Sequence, residues 1–426
     1  MSRPHADRPA RILIVVVLAI SAAIASVPHG AAQTVEPPPP TPVPVPGGGT
    51  SPSPFPSVLR TPSPSTEPPE VHAGAAILMD LESGRTLYAS NANERRPIAS
   101  LTKIMTAYLV MTRTSTDEVV TVSEMAATGT TIGISSLGLG EGERIRVGEL
   151  LYALMLQSAN DAAVALAEHV AGSVDEFVSM MNRTAARLGL ARTAFASPNG
   201  LDDSGYSTAR DLARLTRVAY QVPGFEELVS TSAHAVRSRG VEPRVVQNRN
   251  ALLWLYPGAT GVKTGFTTPA GFCVVGTAVR GDEQVVVIVL GASGEAFTDA
   301  ATLMNFGFAG FDRRLLIGEG RSLGTVDVDG RAVSVAAGES RHALVVAGST
   351  VQPEVVPDPT VRFPPGRGDQ IGVVRLTSSG AEVATVPLVV VDVAPPPPLG
   401  DGGPWWLRGA GSIARAGGSL VRALFG

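Results

Sequence analysis

Apolar residues along the chain fall into runs of different period. Ala75-Ala-Ile-Leu-Met79 and Thr86-Leu-Tyr88, separated by Glu82-Ser-Gly84-Arg85, have the length and turn chemistry of a hairpin and predict two central strands. After Arg95-Arg-Pro97 the spacing becomes helical: Ile104, Tyr108 and Leu109, with Leu101 and Met105 beside them, predict a buried helix that begins at or next to Ser100. A second helical stretch from Val147 to His169 is interrupted at Ser158-Ala-Asn160, where Asn160 or Asp161 can cap the helix that follows. Phe195 to Asp211 is a Gly/Asp-rich loop leading into a helix capped near Ser207. Strands return around a turn at Val262 and Phe272 to Val275, and again at Gln284-Val-Val-Val-Ile-Val-Leu290. From about Arg321 to Val393, short apolar runs (324–328, 332–335, 371–376, 386–393) alternate with turns such as Asp329-Gly330, the pattern of a small all-β domain.

The two ends read differently. Arg3, Arg8 and Arg11 precede an apolar run from Ile12 to about Val27 and the small residues Gly30-Ala-Ala32, so residues 1–32 have the layout of a signal peptide, cut after Ala32 or Ala25. A retained membrane anchor is the competing reading, although the run is short for a span. Residues 33–70 are Pro, Ser, Thr and Gly in composition and predict a disordered linker that cannot build a core. Residues 395–404 form a Pro/Gly linker. In 405–426, Arg408, Arg415 and Arg422 share one helical arc, with Trp406, Ile413, Leu420, Val421 and Leu424 on the other side. Such a segment suits a membrane interface, its Arg side chains meeting anionic headgroups; Gly409, Gly411, Gly417 and Gly418 predict that it is unstructured in water, and a frayed tail is the plainer alternative.

Composition narrows the function. With 426 residues the chain can hold two or more domains, and its net charge of -4 offers nucleic acid no partner surface. The single cysteine, Cys273, excludes an internal disulfide and reads as a small buried strand residue. Six scattered His residues form no metal-type cluster and no triad elbow, so neither a metal nor a cofactor is expected.

The basic residues carry the sharpest signal. Only two of the 34 are lysines: Lys103, three residues after Ser100, and Lys263, inside a Lys-Thr-Gly triplet. Arg cannot give up its proton, whereas Lys can where the surroundings demand it. On a helix, residues three apart stack, which puts the Ser100 hydroxyl beside the Lys103 amine. A serine hydroxyl needs a base to become a nucleophile. Free Lys, with a pKa of about 10.4, serves as one only if burial, the helix N-terminus and a second cation lower that value by several units. Ser-x-x-Lys alone also arises by chance as an N-cap followed by a surface lysine, and Ser158 and Asn160 alone read as capping residues. Lys-Thr-Gly on a strand offers a cation, a hydroxyl and a residue with no side chain to block close approach, which suits a peptide that adds to a sheet edge and ends in a carboxylate.

In this order and spacing, Ser100-x-x-Lys103, Ser158-x-Asn160 and Lys263-Thr264-Gly265 resemble the signature of penicillin-binding proteins and serine β-lactamases. Ile98-Ala-Ser-Leu-Thr-Lys103, Ser158-Ala-Asn160-Asp161, Ser197-Pro-Asn-Gly-Leu201, Tyr206-Ser-Thr-Ala-Arg-Asp211 and Gly261-Val-Lys-Thr-Gly265 carry the likeness further. With them the chain resembles the low-molecular-mass D-alanyl-D-alanine carboxypeptidases of bacterial cell walls, over about Val71 to Phe311.

The resemblance implies an α+β fold: an antiparallel sheet packed with helices over 71–311, of the penicillin-binding-protein and β-lactamase type, followed by the small β-rich domain at 312–394. It implies a carboxypeptidase that removes the terminal D-alanine of peptidoglycan stem pentapeptides through an acyl-enzyme on Ser100, and that β-lactams trap. Lys103 would take the Ser100 proton and Ser158 relay it to the leaving D-alanine. Asn160 would position Lys103 and the substrate, while a charged Lys263, with Thr264 and Gly265, receives the terminal carboxylate. Backbone N–H groups of Ser100 and Phe266 would form the oxyanion hole. The location implied is extracytoplasmic, at the outer leaflet of the cell membrane. Two departures stand out: Phe266 replaces the His or Tyr of many relatives, and 292–299 lacks the Arg that some place there. A serine β-lactamase is the nearest rival, disfavoured because the 191–206 loop carries Asp202 and Asp203 but no Glu. A non-catalytic wall scaffold is the other, and retention of both lysines speaks against it.

Overall fold

The computed structural model describes residues 67–128, 135–378 and 380–393. The chain opens with β1 (Ala75–Asp80) and β2 (Thr86–Ser90), then a 3-10 turn (Ala99–Thr102) that runs into α1 (Lys103–Met111). It continues through β3 (Val119–Thr121), α2 (Glu124–Thr128), β4 (Arg144–Arg146) and α3 (Val147–Tyr152), which passes into a π-helical turn (Ala153–Gln157). Next come α4 (Asn160–Ala171), α5 (Val174–Arg187), α6 (Ala209–Ala219), α7 (Phe225–Ser230), β5 (Ala233–Ser238), β6 (Val241–Gln247) and α8 (Leu252–Leu255). The strands β7 (Ala259–Thr267), β8 (Gly271–Arg280) and β9 (Glu283–Ala292) lead to α9 (Ala296–Gly310). The rest is β10 (Phe311–Ile317), β11 (Ser322–Val328), β12 (Arg331–Ala337), β13 (Arg341–Val346), β14 (Val351–Pro357), β15 (Gln370–Ser378) and β16 (Ala381–Val393).

The organising element is an antiparallel sheet in the order β2-β1-β9-β8-β7. Its continuous apolar runs are explained by cover on both faces, because side chains alternate along a strand. In β9, Val286, Ile288 and Leu290 join one core with residues of α1, α3, α4, α5 and α6, whereas Val285, Val287 and Val289 join another with α9. In β1, Ala75, Ile77 and Met79 face the first core and Ala76 and Leu78 the second. The hairpin of β1 and β2 forms as expected, but β2 is an edge strand and not a central one. The other edge is β7, the strand that carries Lys-Thr-Gly. A smaller sheet, β3-β4-β5-β6, stands apart from it.

Buried along most of its length, α1 places Ile104, Met105, Leu109 and Lys103 out of water. One predicted cap holds and one needs correction. The helix α6 is capped near Ser207 as expected, by Thr208, whose hydroxyl accepts from the Asp211 N–H. Ahead of α4 the N-cap is Ala159, without a side-chain hydrogen bond, so neither Asn160 nor Asp161 has the capping role.

Strands β10 to β16 form a five-stranded sheet, β11-β12-β16-β15-β14, and the pair β10-β13 around a third core of Val333, Val335, Val374, Leu376, Val386 and Leu388. Three of these strands, β10, β13 and β14, are additional to the expected four. Arg313 ties this part to the first: its guanidinium donates to buried Asp80 at 2.8 Å and pairs with Glu82 at 2.9 Å.

Candidate active site

The site lies where the first turn of α1 meets the edge of the large sheet. Gly265 of β7 packs so closely that a Cβ there would come within 3.0 Å of the Ser100 nitrogen. Only glycine lets the strand run past the serine at this separation. Opposite, Gly200 holds φ at +79° and a Cβ on it would overlap the Ala99 carbonyl, so the 197–201 loop also closes against the serine turn. Ala99 itself sits at φ +46°, a conformation that costs a non-glycine residue about 1 kcal/mol or more and that aims the next residue, Ser100.

Lys103 points back under this turn. Its Nζ lies 3.0 Å from Ser100 Oγ, 2.7 Å from Asn160 Oδ1 and 2.7 Å from the Asn199 carbonyl oxygen. The carboxamide and carbonyl oxygens can only accept hydrogen bonds, whereas the hydroxyl can also donate. A neutral amine has two N–H groups and one lone pair. Its two N–H groups then donate to Asn160 and Asn199, and the lone pair is left facing the Ser100 O–H. That is the geometry a general base needs.

The electrostatics favour the same state. Lys103 is fully buried, and its pKa lies well below the usual lysine value, first because of burial and next because of the positive charges of Lys263 and Arg249; Asp161 opposes the shift. Lys263 is also buried and is pulled down to about 7, by burial and then by Arg249. A charged Lys263 is the expectation from sequence; burial and the Arg249 charge make this amine give up its proton more readily than an ordinary lysine. Its Nζ donates to the Thr264 carbonyl at 2.9 Å.

Ser158 ends the π-helical turn with φ +66° and is buried beside Asn160. Thr264 is half-buried on the edge strand. Phe266 is 53% exposed, and its ring lies against that of Phe272 with centroids 4.6 Å apart. Cys273 is buried behind the strand, which pushes its thiol up to about 11 and removes it as a nucleophile.

Three contributors were not legible as site residues. Arg249 follows β6; its N–H bonds to Leu156 O at 3.1 Å and its guanidinium bonds to Ser135 Oγ, bringing a third cation to the two lysines. In sequence it is only an Arg between Asn248 and Asn250. Asn199 acts through its carbonyl oxygen, which no residue type reveals. The Asp161 carboxylate accepts from Ser136 Oγ at 2.6 Å and from the N–H groups of Leu137, Gly138 and Leu139 at 2.9–3.1 Å, so it anchors the loop before α3.

Residues 63–294 match the family model of the D-alanyl-D-alanine carboxypeptidases. The chain is 31% identical over 330 residues to the D-alanyl-D-alanine carboxypeptidase DacF of Bacillus subtilis, covering 74% of this chain and 84% of that protein. It is 34% identical to DacC of Escherichia coli over 77% of this chain and 86% of that one. Among solved structures, the carboxypeptidase DacD of Francisella tularensis aligns with a TM-score of 0.66 and 26% identity, over 78% of this chain and 96% of that one. Penicillin binding protein 6B of Escherichia coli aligns with a TM-score of 0.63 and 31% identity, over 78% and 98%.

Proposed function

The chain belongs to the D-alanyl-D-alanine carboxypeptidase family, and from that premise we propose which residues perform the reaction and where the protein works. It is a serine peptidase that removes the terminal D-alanine of peptidoglycan stem peptides, and it belongs to the class that β-lactams acylate.

Neutral Lys103 accepts the Ser100 proton as Oγ attacks the carbonyl of the penultimate D-alanine. The tetrahedral oxyanion is held by the backbone N–H groups of Ser100 and Phe266; removing one such donor typically costs about 3 kcal/mol of transition-state stabilisation. Protonated Lys103 then returns its proton through the Ser158 hydroxyl to the nitrogen of the departing D-alanine. Asn160 holds Lys103 in line throughout. Lys263 and Thr264 receive the terminal carboxylate, with Gly265 giving it room and Arg249 supplying a cation that stays charged. Binding the carboxylate favours protonated Lys263, and that charge keeps Lys103 deprotonated. Water finally cleaves the acyl-enzyme.

The observation that carries this reading is the set of three oxygens around Lys103 Nζ, only one of which can donate a proton. Intact-protein mass spectrometry after exposure to penicillin tests it. One adduct on Ser100 that persists for minutes is expected, and none on Ser100→Ala. An adduct released in milliseconds would indicate a β-lactamase, and its absence from the wild type a non-catalytic scaffold.

The organisation we propose is a catalytic unit at 71–311 and a β domain at 312–394, supported by the separate third core and by the family match ending at 294. The enzyme acts outside the cytoplasm. We place it at the outer leaflet of the cell membrane through the amphipathic segment 405–426, with residues 1–32 as the export signal; these segments and both linkers lie outside the described residues. Among the described residues no helix is long and apolar enough to cross a membrane.

A further inference from the structure

We propose that Asp203 selects substrates in which the residue immediately before the penultimate D-alanine carries a free, positively charged side-chain amine. The inference rests on the active-site reading above and follows from the register of a peptide on β7. As the terminal strand of its sheet, β7 has one side available for an added strand. A peptide with its carboxylate at Lys263 and Thr264 and its reacting carbonyl at the Phe266 N–H runs antiparallel to β7. At about 3.3 Å per residue, the preceding residue then lies level with Thr267.

That is where Asp203 is held. The Thr267 hydroxyl donates to Asp203 Oδ1 at 2.8 Å. Thr267 shares the parity of Lys263 and Gly265, the face of β7 turned toward Ser100. The loop that bears Asp203 is the one whose Asn199 carbonyl touches Lys103 and whose Gly200 packs under Ala99, so its position is tied to the nucleophile. Its two acidic residues are both exposed and differ in what holds them. Asp202 is used within the turn, accepting from the Ser204 N–H at 3.0 Å. Asp203 is exposed, and among the described residues no ion pair engages it. An exposed carboxylate at this level holds an ammonium group by a charge-assisted hydrogen bond, and a neutral amide N–H in its place only by a weaker, uncharged one.

The test compares N-acetyl-X-D-Ala-D-Ala tripeptides with X as L-lysine or Nε-acetyl-L-lysine, each assayed by D-alanine release. The expected ratio of kcat/KM, lysine over acetyl-lysine, is about three- to fivefold in the wild type at low salt, in keeping with an exposed ion pair, and shrinks as salt is raised. Asp203→Asn brings the ratio close to one, and Asp203→Lys reverses it. A wild type that acylates with penicillin but shows no preference, or an Asp203→Asn variant that keeps the full salt-dependent preference, overturns this assignment alone. A wild type in which penicillin does not label Ser100 overturns the active-site reading, and this assignment with it.

Discussion

The stretch from β1 to α9 and the stretch from β10 to β16 are both well packed, yet they differ in what they bury. In the first, Lys103, Lys263, Asp161, Asp211, Asp80, Asn160 and Ser158 all lie out of water; in the second, Ser378 is the only buried polar or charged side chain among the described residues. The β stretch alternates Val and Leu inward along β12, β15 and β16, which is sufficient for a stable sheet. The catalytic stretch carries amines that burial destabilises, a non-glycine residue in the left-handed region on each side of the cleft, and a π-helical turn leading to Ser158. Covered polar groups with shifted proton affinity therefore mark the working stretch of the chain.

The largest effect that could break this contrast is on Lys103. Lys103→Arg retains a cation but no base, and the second-order rate of penicillin acylation is expected to fall by roughly 10²- to 10⁴-fold. Stopped-flow or quenched labelling would register that loss; near-normal acylation would mean that the buried amine is structural. Next is Arg249→Gln, for which we expect about a tenfold lower kcat/KM on D-Ala-D-Ala peptides from loss of a charged carboxylate partner, with a smaller effect on a substrate whose C-terminus is amidated. With one neighbouring cation gone, Lys263 should titrate higher than about 7 in that variant.

Stability against pH sharpens the contrast further. Lys263 takes up its proton with a pKa of about 7 when folded, against 10.5 for an unrestrained lysine, so between these values the unfolded chain binds more protons than the folded one. Folding stability from this group is lowest below about pH 7 and rises as pH climbs toward 10.5. Denaturant melts at pH 7 and pH 9 should show that gain, and Lys263→Met should reduce it. The smallest effect on chemistry is expected from the β stretch. Leu376→Ala, at a fully buried position, should destabilise its own sheet by about 2–5 kcal/mol while changing the acylation rate less than twofold.

Much of this division was legible in the chain. The skew toward Arg singles out two lysines, and both lie in the site; the helix at Ser100 and the Lys-Thr-Gly strand fall where apolar spacing put them. What escaped has physical causes. Arg249 reaches the site through tertiary packing of the segment after β6, and Asn199 contributes a backbone atom, so neither has a local signature. Asp161 has the residue type of a cap, but the backbone at 137–139 competes for its oxygens and wins. Strand β14 contains Pro353 and Pro357, which only an edge position tolerates, and β10 is interrupted by Asp312, Arg313 and Arg314, so its period is obscured.

The central claim is that the Lys103 amine is uncharged beside Ser100, and because the chain has only two lysines it can be observed directly. Lysine-selective ¹³Cε labelling gives two side-chain resonances, and Lys263→Arg leaves Lys103 as the single one. Titrated by NMR, the Lys103 signal should report the neutral amine well below the ordinary lysine range, with the pKa rising when Arg249→Gln is added. A Lys103 that stays protonated until pH approaches 10.5 would contradict the account.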